Sequence, residues 1–166
     1  GQQDIVAIGD SAMMNNTASN TVAVGSRSLM ENIGSFNTAV GFEALMMNTG
    51  SNNTAIGHRA MKENDSGEFN VALGTGALEN GYAGNTNTAL GAFTLHMNVN
   101  TNDNTAIGGT ALFNNTVGSG NTATGAYALY SNIDGNNNTA VGRLVLGDHQ
   151  HGHSNVAIGA YAASRG

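Results

Sequence analysis

Asn87-Thr88-Ala89-Leu90-Gly91 is the stretch on which the fold turns. In an extended chain Thr88 and Leu90 project to one side and Asn87 and Ala89 to the other. The glycine that follows permits a bend that residues with a Cβ resist. The same five-residue pattern, x-[Thr/Val]-Ala-x-Gly, recurs ten times along the chain, at 5–9, 21–25, 37–41, 53–57, 70–74, 87–91, 104–108, 121–125, 138–142 and 155–159. The closing residues are Gly9, Gly25, Gly41, Gly57, Gly74, Gly91, Gly108, Gly125, Gly142 and Gly159, spaced three times by 16 and then six times by 17. A fixed short period over the whole length makes 1–166 one repeat domain without internal linkers.

Three and four residues after each glycine come a small residue and then a large apolar one, as in Ala44-Leu45, Ala77-Leu78 and Ala111-Leu112. An Asn follows near the seventh place (Asn16, Asn32, Asn48, Asn64, Asn80, Asn98, Asn115, Asn132), and a turn rich in Gly, Asn and Ser leads to the next copy. A repeat of 16 or 17 residues is too short for two helices, and Gly, Asn and Thr are poor helix formers. It fits one solenoid coil with two strands, the first on x-Thr-Ala-x and the second centred on the small–large pair. Coils about 4.8 Å apart would stack into a rod on the order of 45–50 Å long.

The central place is Ala in all ten copies, which implies a space with no room for another methyl. The opposite side pairs Thr or Val with Val, Ile or Leu in nine copies of ten. Both sides therefore read as covered. A narrow roll covers only one of them, so a second copy of the chain is expected against the other, giving a homo-oligomer.

Composition agrees. Gly (24) and Asn (25) dominate, Pro is absent as suits many short paired strands, and 40% of residues are apolar at regular places. The chain has no Cys, so disulfides, thiol nucleophiles and Cys-type zinc sites are excluded. A net charge of −6 argues against nucleic acid, and no apolar run approaches the length of a membrane span.

The NTAVG/NVAIG motif with its small–Leu pair and return turn resembles the head repeat of trimeric autotransporter adhesins, the YadA-like head, which also occurs in phage tail fibres. The resemblance implies a left-handed parallel β-roll, three chains about a threefold axis, an extracellular place on a bacterial surface or a virion tail fibre, and attachment to a host protein or glycan. It carries no catalytic residues and no cofactor. The coils here are longer than in many such heads, and the chain has neither the heptad stalk nor the membrane anchor of a full adhesin.

Sites are sought where the repeat stops dictating the residue. The second place after the glycine varies freely, and with its neighbours it offers Arg27, Arg59, Phe93, Tyr127, Arg143 and Tyr161 as candidate ligand contacts. The plainer role for any one of them is a solvated side wall. His149, His151 and His153 alternate along one segment and are candidate metal ligands, with a polar outward turn as the simpler reading. A column of Thr (Thr38, Thr54, Thr88, Thr105, Thr122, Thr139), interrupted by Val6, Val22, Val71 and Val156, is the feature an ice-binding solenoid would need. An enzyme is not expected. Acyltransferase β-helices carry an aliphatic residue every six places, whereas apolar places here are five and then twelve apart.

Overall fold

A computed structural model describes residues 4–164 as an all-β parallel solenoid, with no helix among them. Ten three-residue strands form one sheet: Val6–Ile8, Val22–Val24, Thr38–Val40, Thr54–Ile56, Val71–Leu73, Thr88–Leu90, Thr105–Ile107, Thr122–Thr124, Thr139–Val141 and Val156–Ile158. They lie side by side in chain order, all parallel and in register, so that each coil's alanine stands beside the next coil's alanine. Ten such strands bound nine full turns of chain.

The alanines point into the coil. From Ala23 to Ala140 they are completely buried, facing the column Met13, Leu29, Leu45, Met61, Leu78, Leu95, Leu112, Leu129 and Leu146. The bore of the roll is one alanine and one leucine wide, which explains why the first place is always alanine and the second, from Met13 to Leu146, always leucine or methionine. The small–large pair is not a strand, contrary to the sequence expectation. It sits in a bend where the leucine or methionine takes φ between 46° and 53°. That conformation costs an L-residue about 1–2 kcal/mol, and complete burial of a leucine returns about 1.5–3 kcal/mol. The core therefore holds the bend, and strand propensity has no say in it.

A second, three-stranded sheet does exist just beyond that bend, but only in the first half of the rod: Glu31–Asn32, Met47–Asn48 and Glu63–Asn64. It stops where the next coil offers Gly81 in place of the asparagine. Asn80, which the spacing had placed in this column, turns instead toward His96 and Met97.

Two columns of buried asparagine replace apolar filling at the ends of the bore. In the column that leads each strand, Asn104 Nδ2 donates to Gly118 O at 3.0 Å, and its Oδ1 accepts from the Asn121 backbone N–H at 2.9 Å. The same links join Asn53, Asn70, Asn87, Asn121 and Asn138. The second column runs Asn32–Asn48–Asn64, breaks, and resumes as Asn98–Asn115–Asn132. In the second column the amides of Asn32, Asn48, Asn64, Asn115 and Asn132 each donate to a return-turn carbonyl.

Replacing Asn104 by Leu keeps the branched shape but removes the acceptor from the Asn121 N–H and one of two donors from the Gly118 carbonyl, which keeps Asn115 Nδ2. We expect a loss of about 2–4 kcal/mol, read as a lower urea midpoint by circular dichroism. An unchanged midpoint would show that the column is not structural.

Candidate functional site

Two surfaces and one turn carry the features that the coil itself does not need. The first is the outer side of the ten-stranded sheet. Its two columns consist of Thr or Val beside Val, Ile, Leu or, once, Thr124, and contain no charged residue. Within one chain this side remains open: Ile56, Leu73, Leu90, Ile107 and Val141 are 37–43% exposed, and the Thr places are half-buried. Ten strands about 4.8 Å apart and three residues wide make a strip of roughly 45 by 10 Å. An uncharged strip of several hundred Å² is as large as the largest patch a monomer usually exposes, and such patches are often functional.

The second surface is the side wall beyond each closing glycine. Here Arg27 and Arg59, two of the residues singled out from the sequence, are already engaged. Arg27 Nη1 lies 3.2 Å from Glu43 Oε1, and Arg59 Nε lies 3.1 Å from Glu43 Oε2. Glu43 is only 5% exposed and draws Lys62 Nζ to 3.8 Å, while Arg59 also reaches Glu79 at 3.9 Å. Charges of alternating sign along coils two to five thus neutralise a buried carboxylate that would otherwise be costly. Phe93, Tyr127 and Tyr161 occupy the same column further along and are exposed. Arg143 lies over the Tyr161 ring, 5.4 Å from its centre, and bonds its hydroxyl. Beside this column His96, Phe113 and Tyr130 stack on one another, as Phe42 does on His58 in the first half of the rod.

The histidine turn does not gather its rings. His151 Nδ1 lies 2.9 Å from Asp134 Oδ1, His153 Nδ1 accepts from the Asn136 backbone N–H at 3.1 Å, and His149 is half-buried. Among the described residues no three His, Cys, Asp or Glu side chains come close enough to hold a metal ion. Below this turn the second asparagine column ends: Asn132 Oδ1 is buried with no hydrogen-bond donor, and the next place along the column is His149.

Sequence reasoning missed a cleft of about 570 Å³ in the first half of the rod, lined by Glu31, Glu63 and Asp65 and by Ile33, Met47 and Tyr82. The signal was present as Asn15, Glu31, Met47 and Glu63 at a spacing of 16, but the residue types differ and do not form an obvious column. Tyr82 donates its hydroxyl to Glu63 Oε2 at 3.1 Å, and this bond, with the carboxylate's charge, raises the phenol above its usual pKa. Both causes disfavour the phenolate, so their stabilisation is present below the ordinary tyrosine range and fades as pH rises through the raised value. Ultraviolet titration of Glu63→Gln should show one tyrosine ionising at lower pH than in the parent. Identical curves would contradict the assignment.

Comparison with protein-family models, with curated proteins and with solved structures finds no match for this chain.

Proposed function

We propose that this chain is a structural and adhesive module of a trimeric extracellular fibre. Three left-handed rolls pack with their flat sheets toward a common axis and their side walls outward. The open, uncharged sheet strip carries this reading, because in water it favours association at about 25 cal/mol per Å² of apolar surface covered. Three copies, the handedness, and a place on a bacterial surface or virion tail fibre follow from the resemblance of the repeat to YadA-like heads. The chain itself then needs neither catalysis nor a cofactor: the rod supplies length and stiffness, and the variable wall supplies contacts to a host protein or glycan. The test is an array of glycans and matrix proteins probed with the assembled chain. Saturable binding to a surface ligand is expected, and an intact assembly that binds nothing on the array would overturn the adhesive role.

A second reading is favoured by one observation. The Thr column, unbroken from Thr88 to Thr139, lies half-exposed on an in-register face, an arrangement that presents hydroxyls at regular spacing as an ice plane requires. If the chain binds ice, it will produce thermal hysteresis that Thr88→Tyr abolishes. The fibre reading expects no effect on ice growth, since the same face is then covered by the other two chains.

A further inference from the structure

Phe93, Tyr127 and Tyr161 stand in one column 34 residues apart, which places one ring on every second coil. Two coils span about 9.6 Å at the usual strand spacing. Thr110 and Leu144 fill the places between them. The three rings are 40%, 42% and 54% exposed, and their backbones sit at φ of 54°, 61° and 60°. A bulky residue is disfavoured there. In the leucine column the same conformation is offset by complete burial; on the wall the coil imposes it on every member, Arg27, Arg59 and Leu144 included, and the three rings stay exposed. The coil has no need of an aromatic at this place and elsewhere carries Ser, Arg, Glu, Gly, Thr or Leu there.

The rings are also held in position. A Cβ on Gly76 would stand 2.7 Å from Phe93 Cδ1 and 2.8 Å from Cε1, so the Phe93 ring lies across the one glycine of its column. It stands at 76° to the His96 ring, whereas His96, Phe113 and Tyr130 stack within 19° of parallel at centroid distances of 5.0 and 5.4 Å. The stacked rings recur coil by coil along the rod, and Phe93 stands nearly perpendicular to them. Tyr127 leans on Tyr130 at 52°, and Arg143 covers Tyr161.

We propose that Phe93, Tyr127 and Tyr161 form a binding strip for a linear, neutral, β-1,4-linked glycan lying along the rod. The C–H face of a pyranose packs on an aromatic ring, and the β-1,4 link turns successive sugars over. The same face therefore returns once per disaccharide, close to the two-coil interval of the rings. A linear array of equally spaced rings suits a linear polymer. An anionic glycan fits poorly: the chain carries a net charge of −6, Arg27, Arg59 and Lys62 are paired with Glu43 or Glu79, and on the strip itself Arg143 beside Tyr161 is a single cation. The proposal deepens the adhesive reading and rests on it for the outward position of this wall.

Cellohexaose and chitohexaose are titrated into the full chain by calorimetry and by tyrosine fluorescence, which no tryptophan obscures. At least one should bind saturably, with maltohexaose, whose α links curve the chain, bound about tenfold more weakly. Phe93→Ala and Tyr127→Ala should each weaken binding by about tenfold, with the mass of the assembly and its circular dichroism unchanged. Gly76→Ala, which displaces the Phe93 ring, should weaken binding while every aromatic remains. No binding of either β-linked hexaose by the folded assembly, or binding indifferent to Phe93 and Tyr127, overturns the proposal. An assembly that forms but does not bind sinks this site alone, whereas a monomer that binds through these rings keeps the site and sinks the trimer.

Discussion

Gly125→Ala will destabilise the rod by about 2–6 kcal/mol, combining backbone strain with overpacking. At Gly125 φ is 130°, and an added Cβ would stand 2.4 Å from Gly142 O and 2.6 Å from Gly142 C. Both atoms belong to the backbone of the next coil and cannot swing aside, so the two strands would have to part. Two other glycines separate the contributions. Gly159 has a φ of 117° but no backbone near the added methyl, so Gly159→Ala reports strain alone, about 1–3 kcal/mol. Gly109 has ordinary φ and open space, so Gly109→Ala should stay within about 0.5 kcal/mol of the parent. Urea midpoints should therefore fall in the order Gly109→Ala, Gly159→Ala, Gly125→Ala. Equal midpoints for the first and last would mean that the closing glycines do not set the coil spacing. Because coils meet only their neighbours, the damage should divide the rod at that point.

On the proposed trimer, the paired substitution Leu90→Asp with Ile107→Asp should leave folded single chains. The two residues are parallel neighbours on the flat face and point away from the alanine–leucine bore. A single chain therefore keeps its core, and the circular dichroism spectrum should persist. In the assembly two carboxylates from each chain would be buried against apolar partners, at several kcal/mol for each unpaired charge. The association constant should drop by at least about a thousandfold. Arg143→Asp on the side wall, a change of the same kind outside the strip, should leave the mass unchanged. If the double mutant remains associated, the flat face is not the interface.

How far the sequence discloses this architecture depends on which constraint each residue obeys. Ala89 fills a bore only one alanine and one leucine wide and Gly91 stands where two backbones approach, and such places admit almost one residue type, so their columns show in the sequence directly. Leu95 misleads: it reads as a strand residue, yet its φ is 48°, because burial in the bore outweighs a conformational cost that no propensity displays. Asn80 misleads by one place, since it is the sixth residue after Gly74 and Gly81 takes the seventh, the column position. Arg27 and Arg59 look like free cations until the fold sets Glu43 between them. The interval of Phe93, Tyr127 and Tyr161 is legible from the sequence, but the lie of the Phe93 ring depends on Gly76 in the preceding coil, a neighbour only in space. Likewise His149, His151 and His153 are adjacent in the chain but are held by separate partners or by none in common.

Light scattering of the purified chain at micromolar concentration tests the central claim most directly. A particle of three times the 16.8 kDa chain mass is predicted, with the outer sheet columns covered. A stable, monodisperse particle of one chain mass would show that the flat apolar strip lives in water uncovered, and would contradict the account.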